Sequence, residues 1–162
     1  MKYLVLLTLL LSNGAWNGQK VYRSETEWRC LLGPERYRVM RGKQSDGAFM
    51  GKYVYPTKQE GAYLCAACEL PLFLTQDQYD AGSGFPSFKK PVHAKHVYYE
   101  EDYRLPFKRY EILCRQCDSH LGHVFHDGPP TKRLRYCVNS TSLKLKIETP
   151  NSGEPKVGEI LN

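Results

Sequence analysis

The sequence has no apolar run long enough to cross a membrane and no block of like charges. Its longest largely apolar stretch, residues 3–11, is much shorter than the ~20 residues that a membrane-spanning helix needs. The 23 basic residues are scattered, with no run longer than Lys89-Lys90. The net charge of +6 therefore indicates a solvated basic surface, and we expect no nucleic acid among the partners.

Residues 1–18 contain no arginine, which a mitochondrial presequence would need. A lysine, a short apolar core and then small and polar residues are typical of a secretory signal peptide. We predict a signal peptide over 1–18, cut somewhere within 14–18, and a destination in the secretory pathway, either the endoplasmic reticulum or outside the cell. No stable membrane span would remain after cleavage. An uncleaved signal anchor is the alternative.

The remaining length favours one domain, 19–147, followed by a loose tail, 148–162, that has little to bury. Ser24 and Glu27 have the spacing of a capping box, which predicts a helix through Leu32. Gly33-Pro34 should end it and start a second helix that runs to Met40. From residue 48 onward, short aromatic and β-branched segments alternate with Gly, Pro and Asp, which predicts a mainly β, antiparallel architecture. The predicted strands include 53–55, 62–64, 96–99, 110–113, 134–138 and 142–147.

Four of the six cysteines form two C-x-x-C pairs. A two-residue gap lets both thiolates of a pair reach one ion, and two such turns supply the tetrahedral sulfur ligands that zinc prefers. We therefore predict one structural zinc ion, held by Cys65, Cys68, Cys114 and Cys117. Two disulfides are the alternative, since the secretory pathway is oxidising. A redox-active C-x-x-C, however, usually opens a helix in a βαβ unit, and this chain lacks that pattern.

The lone Cys137 lies in a segment where polar residues alternate with apolar ones. In a strand, Arg135, Cys137 and Asn139 would share one face. A cation and an amide beside a thiol favour the thiolate, which is the nucleophilic form. A cysteine buried as a small apolar residue is the ordinary alternative.

Two upstream segments carry further candidates. His123 and Phe125 would share a strand face before a turn at Asp127, and an imidazole is a ready proton donor near neutral pH. The glycine-rich segment 82–88 presents Phe85, which could wall a small apolar pocket. Structural hydrogen bonding for His123 and core packing for Phe85 are the ordinary interpretations.

These segments together resemble methionine sulfoxide reductases of the B type. The matching pieces are the two C-x-x-C pairs, Gly-x-Gly-aromatic-Pro-Ser-Phe at 82–88, His-Leu-Gly-His-Val-Phe at 120–125 and Arg-Tyr-Cys-Val-Asn-Ser at 135–140. They occur in the family's order, and the resemblance runs from about residue 25 to 147. It implies a fold of two antiparallel sheets with short N-terminal helices. It also implies a structural zinc far from the active site and reduction of the R epimer of methionine sulfoxide in proteins.

Carried over by motif, the resemblance makes Cys137 the thiolate that attacks the sulfoxide sulfur and becomes a sulfenic acid. It implies that His123, together with either His120 or a bound water, polarises or protonates the sulfoxide oxygen. Arg135, Asn139 and Asp127 would orient and order the thiolate site. The substrate methyl group would lie against Phe85, with Phe125 nearby.

The chain departs from the family pattern at two positions. Many members have tryptophan at the position of Phe85, so an indole N–H would be lost here. Many also have a resolving cysteine at the position of Ser83, which cannot form a disulfide. We hypothesise that Cys30 resolves the sulfenic acid instead and that a thioredoxin-like partner reduces the resulting disulfide. Direct reduction of Cys137 by a small thiol, with Cys30 as a packing residue, is the alternative.

Two rival functions stay open from the residues alone. A non-catalytic zinc-binding β module could bind a ligand or, through its many tyrosines, nucleic acid. A secreted, disulfide-bonded interaction protein would use the C-x-x-C pairs as bridges. Neither explains a lone cysteine between arginine and asparagine. We expect a monomer.

Overall fold

The computed structural model describes residues 16–147, which include the whole of the predicted domain. The predicted loose tail and residues 1–15 of the predicted signal peptide lie outside the described residues. Trp16 lies inside them, and its backbone N–H donates to Nε2 of His96 at 3.1 Å. No helix within residues 16–147 is long and apolar enough to cross a membrane.

The N-terminal helical segment, α1 (Glu25–Met40), is divided near its middle. The predicted capping box is present, because the Ser24 hydroxyl accepts from the Glu27 backbone N–H and the Glu27 carboxylate accepts from Ser24. Gly33 has non-helical angles (φ 70°, ψ 172°) just before Pro34, so the predicted break is confirmed. The helix buries one face against the sheets through Trp28, Leu32, Val39 and Met40.

Nine strands within residues 16–147 form two antiparallel sheets, which confirms the predicted mainly β class. The three-stranded sheet has the order β2-β1-β9, with β1 (Gly61–Cys65), β2 (Pro71–Leu74) and β9 (Leu143–Ile147). The six-stranded sheet has the order β3-β4-β8-β7-β6-β5, with β3 (Gln78–Tyr79), β4 (Ser87–Phe88), β5 (Val97–Asp102), β6 (Arg109–Cys114), β7 (His120–Phe125) and β8 (Arg135–Val138).

Aromatic side chains join the two sheets. The Phe73 ring of β2 stacks on the Phe88 ring of β4 with a centroid separation of 4.3 Å. Tyr63 of β1 meets the same Phe88 ring edge-on at 5.3 Å. Tyr136 of β8 is buried beside Phe73. One face of the six-stranded sheet thus packs into the core. Because side chains alternate along a strand, the residues on either side of Tyr136 in β8 point to the opposite face.

The predicted strand at 53–55 is wrong, since this segment is a turn and bend. The Tyr53 backbone N–H donates to the Ser140 hydroxyl at 3.0 Å, and its carbonyl accepts from the Gln78 side-chain amide at 2.8 Å. Side chains from other elements therefore satisfy the backbone groups that a strand partner would otherwise occupy. The aromatic residue that suggested a strand, Tyr53, instead packs its ring against Tyr63.

Candidate active site and metal site

A row of polar side chains crosses the six-stranded sheet on the face opposite the core. In register, Glu111 is paired with His123, His123 with Cys137, and Cys137 with Ser87. Ser87 is paired in turn with Tyr79 on the edge strand β3. Directly opposed residues have Cβ atoms ~5 Å apart and point to one face. The sheet therefore places a thiol beside an imidazole, with hydroxyl groups and a carboxylate along the same row.

Burial and charge act in opposite directions on Cys137. Burial raises the pKa of its thiol, and this is the largest effect. The positive charge of Arg135 and the hydroxyl of Ser83 lower it. The expectation that Arg135 favours the thiolate therefore has the right sign, but burial outweighs it. In the free protein the group is a thiol at neutral pH.

The structure brings Arg135, Asp127 and Phe125 together beside Cys137. The Arg135 Nε and Nη2 atoms donate to the two Asp127 oxygens at 2.8 and 3.0 Å. The guanidinium also lies over the Phe125 ring, 4.6 Å from its centroid. A bidentate pair fixes the position of the charge better than a single hydrogen bond does. Asp127 and Phe125 thus hold the cation that acts on the thiol.

His123 is bound to a buried carboxylate that the sequence analysis did not identify. Its Nε2 lies 2.7 Å from Oδ2 of Asp102. Hydrogen bonds from Arg104 hold the pKa of Asp102 far below its usual range, so the group is an ionised acceptor. Burial lowers the pKa of His123 from 6.5, and the ring is neutral at pH 7. With the ring proton on Nε2, Nδ1 keeps a lone pair that can accept a proton.

His120 forms a second imidazole–carboxylate pair beside the first. Its Nδ1 lies 2.6 Å from Oε1 of Glu111, whose other oxygen accepts from Lys43 at 2.8 Å. The His120 and His123 rings meet edge-on with centroids 5.5 Å apart. The His120 Nε2 atom is buried and has no hydrogen-bond partner within residues 16–147. A buried polar atom without a partner marks a position where a polar ligand atom gains a hydrogen bond.

Asn139 supports the site without its amide being free to touch the thiol. Its Oδ1 accepts from the Asp46 backbone N–H at 2.9 Å, and its Nδ2 donates to the Leu121 carbonyl at 3.1 Å. Both ends of the amide are therefore used to tie the segment after α1 to β7. Of the three residues predicted to share a face, Arg135 and Cys137 lie within β8 and Asn139 follows its end.

The glycine-rich segment is docked on β8 and on the segment after α1. The Pro86 carbonyl accepts from the Val138 backbone N–H at 2.9 Å, and the Gly84 carbonyl accepts from Phe49 at 2.8 Å. Gly84 has φ +81°, and a Cβ there would lie 2.8 Å from the Phe49 nitrogen. A side chain at this position would therefore collide with backbone. Phe85, half-buried, follows directly and lies two residues before the partner of Cys137.

The two C-x-x-C pairs converge as predicted, each at the end of a strand. All four sulfur atoms lie within 4.8 Å of one another. The Cys65–Cys117 and Cys68–Cys114 sulfur pairs are separated by 3.7 and 3.5 Å. Zinc–sulfur bonds of ~2.3 Å in a tetrahedron place sulfurs ~3.8 Å apart, so the donor set fits such an ion.

The two turns that form the metal site have the same backbone geometry. In each, the residue after the second cysteine has positive φ, 64° at Glu69 and 58° at Asp118. Its N–H donates to the carbonyl of the first cysteine of the pair at 2.9 Å in both turns. Among the described residues all four cysteines are free thiols, without a disulfide.

Comparison with known proteins identifies the family. A family model described as the SelR domain matches residues 32–147. A protein from Acinetobacter baylyi named peptide methionine sulfoxide reductase MsrB is 46% identical over 135 residues, which cover 83% of this chain and 96% of that protein. One of the same name from Azotobacter vinelandii is 49% identical over 127 residues, covering 78% and 95%. The chain belongs to the MsrB family. The resemblance carried by the sequence motifs is thereby confirmed.

Cys30 stands apart from the MsrB site. It is an exposed free thiol on α1, two residues from the buried Trp28 and Leu32, and so faces away from the helix surface that packs on the sheets. It also precedes the segment 32–147 that matches the family model. Ser83, by contrast, acts directly on Cys137. The structure therefore places Ser83 beside Cys137 and leaves Cys30 on the outer surface.

Tyr79 is a further residue of this MsrB site that the sequence analysis missed. Its hydroxyl is buried and has no hydrogen-bond partner within residues 16–147. Burial raises the pKa of Tyr79, while Arg135, Asp127 and Cys137 all act on it electrostatically. It is therefore a neutral O–H donor close to the nucleophile. The sequence does not single it out, because the chain has twelve tyrosines and the strand that holds Tyr79 has only two residues.

Proposed function

We propose that this chain reduces the R epimer of methionine sulfoxide in proteins to methionine, with Cys137 as the nucleophile. The observation that supports this most directly is the cross-strand pairing of Cys137 with His123. Strand pairing puts a neutral imidazole, itself bound to an ionised carboxylate, on the same sheet face as the thiol, where it can act as the base once substrate brings the two within hydrogen-bond reach. Membership of the MsrB family supports methionine sulfoxide reduction, and the site supplies the groups for it.

The proposed reaction moves one oxygen atom and two electrons. His123 takes the Cys137 proton at Nδ1, and the thiolate attacks the sulfoxide sulfur. The transient sulfur–sulfur bond and the sulfur–oxygen bond of the substrate both break as the oxygen passes to Cys137, which becomes a sulfenic acid, and methionine leaves. The thiol is oxidised by two electrons and the sulfoxide is reduced by two. The proton returns to the oxygen that becomes the sulfenic hydroxyl.

The surrounding side chains bind and orient the substrate in this proposal. Phe85 holds the substrate methyl group against its ring, and Phe125 closes the apolar side beside the guanidinium of Arg135. His120, held by Glu111 and packed edge-on against His123, supports the imidazole on the polar oxygen side. A half-apolar, half-polar pocket of this kind suits a thioether sulfoxide.

Tyr79→Phe is expected to lower kcat by about tenfold with little change in KM. The hydroxyl would donate to the sulfoxide oxygen as negative charge develops there, and one such hydrogen bond is worth ~1–2 kcal/mol. Steady-state kinetics with a peptide sulfoxide and excess dithiothreitol measure the effect. Tyr99→Phe provides a matched control, because that hydroxyl donates to Tyr136 on the core side. Equal kcat values for Tyr79→Phe and the parent protein would remove Tyr79 from the mechanism.

Cys30 resolves the sulfenic acid in the second part of the proposal, and a thioredoxin-like protein then reduces the Cys30–Cys137 disulfide. A disulfide needs Cα atoms within ~7 Å, so the first half of α1 has to leave its packed position. The break at Gly33 gives this half a hinge. Direct reduction of the sulfenic acid by a small thiol is the competing route.

Mass spectrometry after a single turnover tests both steps. Zinc-loaded protein is mixed with excess peptide sulfoxide without reductant, and the Cys137 peptide is analysed. We expect a Cys30–Cys137 disulfide, ~2 Da lighter than the dithiol, and in Cys30→Ser a sulfenic acid that a dimedone-type reagent traps. A sulfenic acid that persists in the parent protein would exclude Cys30 as the resolving residue. An unmodified Cys137 after substrate reduction would exclude the nucleophile.

The metal is zinc in this proposal, and the chain acts as a monomer in the secretory pathway. Four sulfur donors around one tetrahedral position favour zinc over oxygen-preferring cations. The ion would be held by the four cysteines and would cross-link β1 to β6, and it takes no part in the oxygen transfer. The signal-like N-terminus supports the compartment.

A further inference from the structure

A small basic cavity lies at the edge of the six-stranded sheet, outside the site described above. It has a volume of about 220 Å³ and lies where the segments after β4 and before β8 meet the short helix before β3. Four cationic side chains line it: Lys89, Lys90, Lys132 and Arg133. Within residues 16–147 none of these four forms a direct ion pair, although the charges of Lys90 and Lys89 act on the Asp77 carboxyl in the same lining. With Asp77 counted, the lining still has a net positive charge that attracts an anionic ligand.

The cavity is also lined by a buried carboxyl group, one oxygen of which has no hydrogen-bond partner. Asp77 is 8% exposed, and its Oδ2 atom has no hydrogen-bond partner within residues 16–147. Its backbone carbonyl already accepts from the Lys89 N–H at 2.9 Å, so the side chain is the part that remains open. Unpartnered buried oxygens are rare in folded proteins, since each costs a hydrogen bond. A ligand N–H donor would satisfy this one.

The backbone that forms one wall is strained. Thr131 and Arg133 have positive φ values of 101° and 53°, which residues other than glycine rarely adopt. The turn is closed by hydrogen bonds from Gly128 to the Arg133 carbonyl and from Arg133 to the Pro129 carbonyl. Strain of this kind persists where the surrounding structure holds it, often at binding sites.

The cavity lies a short distance from the nucleophile across β4 and β8. Lys89 lines the cavity and is two residues after Ser87, which is paired with Cys137, so alternation puts the two on one face of the sheet. Two residues at ~3.3 Å each and one strand spacing of ~5 Å place the Lys89 backbone ~8 Å from Cys137, and the lysine side chain extends beyond it. An extended peptide with its sulfoxide at Cys137 would place a residue about three positions away at the cavity.

We propose that this cavity binds an acidic segment of the substrate protein and directs the enzyme to methionine sulfoxide about three residues from a glutamate or aspartate. The inference rests on the proposed function above. The acidic side chain pairs with the lysines, and a backbone N–H of the same segment donates to Asp77. Several exposed charge pairs acting together mainly raise local substrate concentration and association rate.

Peptide kinetics test the proposal. Three peptides carry one R-methionine sulfoxide in a neutral background, with Glu, Gln or Lys three positions away, and each is made with the variable residue on either side. Purified zinc-loaded protein from residue 19 onward, with dithiothreitol, is assayed at low ionic strength. On one side of the sulfoxide, we expect kcat/KM for the Glu peptide to exceed that for the Gln peptide by about tenfold, and that for the Lys peptide by a larger factor. The difference should arise from a lower KM for the Glu peptide. The preference should fall to about twofold at ~0.5 M salt, because exposed charges are screened.

Matched variants assign the effect to the cavity. Lys89→Gln combined with Lys132→Gln removes two exposed cations and should reduce the Glu preference to about twofold while leaving Gln-peptide turnover unchanged. Lys95→Gln removes an exposed cation beside β5, the opposite edge of the sheet, and should leave the preference intact. Equal kcat/KM for the Glu and Gln peptides on both sides, with both reduced, would overturn the cavity proposal alone. No reduction of any peptide would overturn the proposed function.

Discussion

Cys137→Ser is expected to abolish methionine sulfoxide reduction, with kcat falling by at least about 10⁴-fold under excess dithiothreitol. A serine hydroxyl is a far weaker nucleophile at sulfur than a thiolate, and removing a catalytic nucleophile typically costs this much or more. The fold should be unchanged, because the substitution is nearly isosteric and Cys137 is only half-buried. Steady-state turnover of a peptide sulfoxide measures the loss.

Cys30→Ser is the matched control for this change. It removes an exposed thiol outside the sheet, so turnover with dithiothreitol should stay within about twofold of the parent value. Circular dichroism and bound zinc should be the same for both variants. Substantial turnover by folded, zinc-loaded Cys137→Ser would contradict the assigned nucleophile.

Cys114→Ser is expected to destabilise the protein more than any other single change discussed here. Structural zinc sites supply an apparent ~10–16 kcal/mol in small peptides, whereas whole domains have a net stability of ~5–15 kcal/mol. Cys114 is fully buried at the end of β6, so serine there removes one ligand and leaves a buried hydroxyl. We expect a melting temperature lower by about 15 °C or more, or a chain that does not fold.

Zinc analysis and thermal unfolding followed by circular dichroism check this result. Chelation of the parent protein with a strong zinc ligand should reproduce the effect of the substitution, and Cys30→Ser should not. Unchanged thermal stability after complete removal of the metal would show that the four sulfurs do not stabilise the fold through an ion.

The chemistry-bearing motifs were predictable because each is local in sequence. The C-x-x-C spacing is enough to place two sulfurs on one ion, and β1 and β6 end at Cys65 and Cys114 as expected. The Ser24 capping box and the break at Gly33 depend on neighbouring residues alone. Alternation in β8 correctly put Arg135 and Cys137 on one face and Tyr136 on the other.

The residues that complete the site were not predictable because they depend on sheet register. Asp102 reaches His123 only through the pairing of β5, β6 and β7. Tyr79 and Ser87 join the row through β3 and β4, which have two residues each and are too short to show a period. The orientation of Cys30 depends on which face of α1 packs against the rest of the protein. Because α1 is only weakly amphipathic, its sequence does not show which face that is.

The most direct test of the central claim is the assay of the two epimers. Protein from residue 19 onward, loaded with zinc, is supplied separately with a peptide containing R- or S-methionine sulfoxide and with dithiothreitol, and methionine is quantified by chromatography. The account predicts reduction of the R epimer, and a rate for the S epimer at least about 10²-fold lower, because Phe85 and the polar row around Cys137 fix the methyl and oxygen positions. Equal rates for the two epimers, or no reduction of either by folded protein, would contradict it.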